Sequence, residues 1–158
     1  MKYAGIIKND LAAGPGVCVT FFAQGCDKHC KGCHNPETWD FEGGKEFTVE
    51  TMNTILSALT ANGVSRNLAI MGGEPLHPNN VFLTYMIMAT VKEHYPDTKI
   101  YLWSGYTYDE IKKMNSPYVS QIIKLIDILV DGPYIEELRD ITLPMRGSKN
   151  QCIITDFS

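Results

Sequence analysis

No stretch of this 158-residue chain approaches the roughly 20 apolar residues that a helix needs to cross a bilayer. The amino-terminal "MKYAGIIKND" has no long apolar segment and no small-residue cleavage site, so no secretory leader is expected and the chain reads as cytoplasmic. Charge of one sign is scarce as well. The formal net charge is −4 with acids and bases interspersed, which provides no electrostatic footprint for nucleic acid or a membrane surface. Low-complexity tracts, internal repeats and long linkers are all missing, and the length suits one domain over residues 1–158. No His–carboxylate or Ser–His signature stands out. There are only five cysteines, an odd number, and three fall within "GCDKHCKGCHN". That fits poorly with a secreted disulfide framework. In a reducing compartment such crowding points to metal or redox chemistry.

What is present is an alternation of strand and helix. "VCVTFFA" (17–23) is β-branched and aromatic and predicts a buried strand. Residues 67–71, 99–103, 127–130 and 151–155 predict further strands, and 3–7 a short edge strand. Residues 48–63 place Val49, Met52, Ile55, Leu56 and Leu59 on one helical face, with Gly63 as a stop. Residues 79–96 predict a helix ended by Pro96. Thr107 and Glu110 have the spacing of a capping box that opens another. This alternation argues for an α/β domain with a largely parallel sheet. The units are too few for a closed eight-stranded barrel, so an open sheet or partial barrel is expected.

Four glycine-bearing loops follow predicted strands: the cysteine loop, "GGEP" (72–75), "SGY" (104–106) and "DGP" (131–133). In a parallel sheet these loops share the carboxyl end of the strands, where ligands bind. Cys26, Cys30 and Cys33 have the spacing C-x3-C-x2-C. Thiolates suit iron–sulfur clusters or zinc. A zinc site closes to four ligands, and His29 or His34 could supply the fourth. A four-iron cluster takes four cysteines when fully protein-bound, so three leave one iron open for a substrate or cofactor.

C-x3-C-x2-C followed by GGEP resembles the radical S-adenosylmethionine superfamily. "GPGVCVTFFAQGC", "CHNPETWDF", "GGEPLHPNN", "YLWSGYTYDEI", "DILVDGPYI" and "RGSKNQ" resemble, over residues 14–151, the activating-protein family of anaerobic (class III) ribonucleoside-triphosphate reductases. The "CHN…TWD" segment is shared with pyruvate formate-lyase activating enzymes and does not separate the two. The resemblance implies a partial, open β/α barrel of radical S-adenosylmethionine type. It implies a [4Fe-4S] cluster on Cys26, Cys30 and Cys33, with the methionine moiety of S-adenosylmethionine on the fourth iron. It also implies an external one-electron donor, reductive cleavage to methionine and a 5′-deoxyadenosyl radical, and removal of a hydrogen from a glycine of the reductase.

Roles for other residues follow from the same resemblance. Gly72, Gly73 and Glu74 would meet the methionine amino group; a helix-start carboxylate is the blander account of Glu74. Gly32 and His34 would lie along the adenine, with loop capping as the alternative for His34. Ser104 and Asp131 would touch the carboxylate or ribose region, although Ser and Asp commonly cap loops. Met86 and Met88 read as core, and Cys18 as a buried inert thiol. Cys152 reads as structural, His77 as a helix-start residue within reach of the site, and His94 as surface. Arg146 could bind a phosphate or a partner protein, or lie in an exposed loop.

Overall fold

The computed structural model describes residues 1–157. Within them seven strands form one sheet: β1 (Lys2–Asp10), β2 (Cys18–Ala23), β3 (Lys45–Glu46), β4 (Asn67–Gly72), β5 (Ile100–Trp103), β6 (Ile128–Asp131) and β7 (Cys152–Ile154). The helices between them are α1 (Val49–Leu59), α2 (Val81–His94), α3 (Tyr108–Lys112) and α4 (Pro117–Leu125). The strand order is β3-β1-β2-β4-β5-β6-β7. Strands β2, β4, β5 and β6 run parallel, whereas β1 pairs antiparallel with β2 and β3, and β7 antiparallel with β6. The sheet is therefore partly parallel, which corrects the expectation of a largely parallel one. The reason is connection length. Residues 11–17 between β1 and β2 are too few for a helical crossover, so the chain can only turn back beside itself.

The parallel core follows from side-chain alternation. Val19, Phe21, Leu68, Ile70, Ile100, Leu102 and Leu129 point to one face and pack with Ile55 and Leu59 of α1, Ile87 and Val91 of α2, Ile111 and Ile122. The intervening residues Cys18, Ala69 and Tyr101 point to the other face. That second face is covered by loops, not helices: Ala13 and Met145 pack there with Met71 and Trp103.

Helix boundaries have local causes. Thr48 and Thr51 exchange side-chain and backbone hydrogen bonds in a capping box that opens α1. The helix stops at Leu59, short of the expected Gly63, because Asn62 (φ 57) and Gly63 (φ 71) are left-handed. Buried Arg66 then donates to the carbonyls of Ala58, Ala61 and Val64 where α1 ends. The Thr107–Glu110 box opens α3 as its spacing predicts. Helix α4 lies outside the predicted set, although Ser116 caps it and Pro117 takes its first turn. Strand β1 is longer than expected and lies inside the sheet rather than at its edge.

Candidate metal centre

Loops at the carboxyl ends of β2, β4 and β5 meet around a cavity of about 450 Å³. Cys26, Cys30 and Cys33 line it, opposite Gly72–Glu74 and residues 103–105. The cysteine loop is anchored by backbone. Gly25 N donates to Thr38 O at 2.6 Å and Cys26 N to Trp39 O at 3.2 Å. Gly25 has φ 108, and a Cβ there would overlap the Phe41 ring, so only glycine fits. The carbonyl of Gly25 accepts from Glu74 N at 2.9 Å and from Asn80 Nδ2 at 3.1 Å. A Cβ on Gly73 would lie 2.5 Å from that same carbonyl oxygen. The "GGE" loop and the cysteine loop thus touch backbone to backbone.

Backbone N–H groups approach two of the three thiols, Cys26 and Cys33. His29 is left-handed (φ 46), a strained conformation for a residue with a Cβ, and stacks on Trp39 at 4.4 Å. Burial pushes the Cys26 thiol up; backbone hydrogen bonding from Lys28 and His29 opposes this, and the Glu74 charge adds to it. Asn35 N points at Cys33 Sγ, 3.4 Å away. Successive N–H groups turned inward around a left-handed residue are a concavity suited to phosphates and iron–sulfur groups. No disulfide ties up any of the three. A single zinc with Zn–S near 2.3 Å needs its sulfurs within about 4 Å of one another. Among the described residues no three His, Cys, Asp or Glu side chains converge in that way. A multi-iron cluster spreads its thiolates over separate irons, and the soft donor set of three fits such a group.

Glu74 is 1% exposed, and both its carboxylate oxygens are taken. Oε2 accepts from Leu76 N (3.0 Å) and Ser104 Oγ (2.8 Å), and Oε1 from Gly105 N (2.7 Å). Burial pushes its pKa up, against the pull of these three donors and the Lys28 charge. Glu74 therefore ties the loop after β4 to the loop after β5. Ser104 lines the cavity while donating to Glu74 and accepting from Tyr106 N at 3.1 Å.

Of the residues singled out in the sequence, Cys26, Cys30, Cys33, His34, Gly72, Gly73, Glu74 and Ser104 come together in the cavity lining. Gly32 and Asp131 do not. Gly32 is left-handed (φ 75) and lies against the end of the Glu136 side chain. Asp131 accepts from Tyr108 N at 2.7 Å and Cys152 N at 3.1 Å, bracketing α3 and β7 to the end of β6. His29 is not in the lining, and His77 pairs instead with Asp27 at 3.2 Å. Cys18 is fully buried on the loop-covered face, its pKa pushed up to about 11 by burial and by Asp10. Cys152 is exposed, Met88 is in the core with Met86 packed against it, and His94 is exposed beside Thr90 O. Arg146 does reach the cavity, where Nη1 donates to Gln151 O at 3.3 Å. Lys28, Met71, Trp103 and Tyr134 also line it without having been singled out. Met71 and Trp103 were legible in principle, since they share strand parity with Ala69 and Tyr101.

Comparison with known proteins points to an iron–sulfur cluster. The family described as a 4Fe-4S single cluster domain matches residues 12–154. A Vibrio cholerae anaerobic ribonucleoside-triphosphate reductase-activating protein is 37% identical over 154 residues, 97% of each chain. The Escherichia coli K12 protein of the same name is 34% identical over 97% of each chain. That of Enterobacteria phage T4 is 34% identical over 96% of this chain and 92% of its own.

Proposed function

The chain belongs to the 4Fe-4S single cluster domain family and, within it, to the anaerobic ribonucleoside-triphosphate reductase-activating proteins, and from that premise we propose how its cavity works. The protein is an iron–sulfur enzyme that activates the anaerobic ribonucleotide reductase. Cys26, Cys30 and Cys33 would hold a [4Fe-4S] cluster, with S-adenosylmethionine bound at the iron they leave without a protein ligand. When bound, the pair would supply reductive cleavage of the sulfonium with one electron from an external donor, for removal of a hydrogen atom from a glycine of the reductase.

The chain's own part is to bind, orient and exclude water. Gly72 and Gly73 lack a Cβ where one would strike Ala23 and Gly25, so their backbone packs directly on the end of β2 and the cysteine loop while lining the cavity. Glu74 positions this backbone relative to Ser104 and Gly105. His34 and Tyr134, rings 5.2 Å apart, form an aromatic wall suited to a base. Gly32 and Asp131 act from behind this wall, by shaping the loops that carry it. Holding the reacting carbon near its target offers positioning effects of about 7–11 kcal/mol. Helices on one face of the sheet and a loop-covered cavity on the other support an open, partial β/α barrel, through whose open side a glycine-bearing loop of the reductase enters. Among the described residues no helix is long and apolar enough to cross a membrane. Unpaired thiols around a reducible cluster suit the cytoplasm.

The observation that carries this reading is the meeting of three cysteines with the "GGE" backbone in one cavity. Anaerobic reconstitution with iron and sulfide, reduction and addition of S-adenosylmethionine should release 5′-deoxyadenosine. Mixed with the reductase, the protein should produce a glycyl-radical doublet in electron paramagnetic resonance. A doublet on pyruvate formate-lyase and none on the reductase would overturn the assignment of partner. Absence of 5′-deoxyadenosine from a fully loaded cluster would overturn the chemistry.

A further inference from the structure

The interval between the first two cluster cysteines carries a cation that binding and positioning leave unused. Lys28 lines the cavity together with Cys26, Cys30 and Cys33. Its ammonium lies over the Tyr106 ring, 4.3 Å from the centroid. Its stem packs on Gly105, where a Cβ would come within 2.6 Å of Lys28 Cδ. Tyr106 and Gly105 belong to the loop that Glu74 fixes through Gly105 N and Ser104 Oγ. Lys31, three residues on, is the contrast: it is 81% exposed and reaches Glu137 only at 3.5 Å. A ring face attracts an ammonium without neutralising it, so the positive charge at Lys28 stays in force within the cavity. Glu74 is the buried carboxylate that feels this charge, with Glu110 outside the cavity, and the oxygens of Glu74 are already shared among Leu76 N, Ser104 Oγ and Gly105 N.

Resting on the cluster reading above, we infer that Lys28, clamped on Tyr106, sets the reduction potential of the cluster. Adding one electron adds one negative charge to an already anionic assembly of iron, sulfide and three thiolates. A cation held nearby in a partly desolvated cavity favours the reduced form over the oxidised one, and cluster potentials respond to such local charge. The electron still comes from the external donor; Lys28 makes its transfer less uphill. Tyr106 keeps the ammonium in place. Without it, a flexible lysine stem would carry the charge out to water.

The test is a mediated potentiometric titration of the anaerobically reconstituted full chain, with the reduced cluster followed by electron paramagnetic resonance. In Lys28→Met the ratio of reduced to oxidised cluster at a fixed poise should fall about tenfold, a shift of 59 mV to lower potential for one electron. Lys28→Arg, which keeps the charge and the ring contact, should stay within about twofold of the parent. Tyr106→Leu, which keeps the charge but releases it, should fall between the two. A merely structural role would change cluster yield or thermal stability and leave the midpoint alone. A Lys28→Met protein with parental iron and sulfide and a parental midpoint would overturn the inference. If that variant loads poorly, an unchanged midpoint in Tyr106→Leu overturns it equally. A parent chain that assembles no redox-active cluster would overturn the cluster reading itself, whereas a normal parent cluster indifferent to Lys28 overturns this inference alone.

Discussion

Replacing Glu74 separates two roles for a carboxylate beside a ligand cavity: holding the ligand, or holding the loops. Its three donors are unevenly shared, with Leu76 N and Ser104 Oγ on Oε2 and Gly105 N on Oε1. Glutamine has one acceptor oxygen. Placed at the Oε2 position, that oxygen keeps two bonds, and the amide nitrogen then faces Gly105 N–H, donor against donor. One charge-assisted bond is lost and a buried N–H is orphaned, a cost of about 1.5–3 kcal/mol. The neutral amide escapes the desolvation that pushes Glu74 up, which returns part of it. The net expectation for Glu74→Gln is about 1–2 kcal/mol of lost stability. Glu74→Ala leaves all three donors without an acceptor and opens a void, for about 3–5 kcal/mol. Urea unfolding of the reduced apo-protein reads both, as does a melting shift of about 2–4 °C per kcal/mol for a chain of this size. Weaker S-adenosylmethionine binding should accompany both, because the loops after β4 and β5 separate. The reasoning is refuted if Glu74→Ala unfolds within about 0.5 kcal/mol of the parent yet loses the ligand. The carboxylate would then be reserved for the ammonium group.

Alanine at Cys26, Cys30 or Cys33 should each abolish the reconstituted cluster, measured as bound iron and sulfide, while Cys152→Ala, on the exposed end of β7, should retain it. Gly73→Ala places a methyl 2.5 Å from Gly25 O and should push the cysteine loop off the "GGE" loop, lowering iron content with little loss of helical signal in circular dichroism. Cys18, raised from 9.0 to about 11, favours its protonated form in the folded state. Its contribution to stability is whole below pH 9 and lost as pH rises through 11, worth about 2–3 kcal/mol in all. Urea midpoints should therefore fall more steeply between pH 9 and 11 for the parent than for Cys18→Ala, and equal slopes would count against this burial effect.

Local chemistry was the legible part of the chain. β-Branched and aromatic runs located the four parallel strands, and the Thr107–Glu110 spacing located a helix start that the structure reproduces in both of its hydrogen bonds. Ser116–Pro117 carries the same kind of signal for α4, but the polar stretch around it hides the short apolar face. The full length of strand β1 is hidden in the sequence because its residues are half-buried or exposed throughout, so alternation fades. Partners distant in sequence were illegible. Asp131 looked like a ligand residue, but its oxygens serve amides 23 and 21 positions away. Lys28 sits in a polar loop where a lysine reads as solvated, until the fold brings Tyr106 beneath it.

Strand parity explains why so much of the candidate site could be read at all. Along β4, Leu68 and Ile70 belong to the helix-packed core while Ala69 and Met71 belong to the opposite face. On β5, Ile100 and Leu102 divide from Tyr101 and Trp103 in the same way. Helices bury the first set. The second is left to loops, and a surface closed by loops can keep a cavity where a surface closed by helices is packed solid. Motifs at the ends of β2, β4 and β5 inherit that side because the three strands run in one direction and in register. The antiparallel strands β1 and β7 do not dilute this. They extend the sheet on either side and deliver Asp10 and Gln151 to the rim of the same cavity. The cysteine spacing states what chemistry is available, and the parallel register determines that the "GGE" backbone and Ser104 face it.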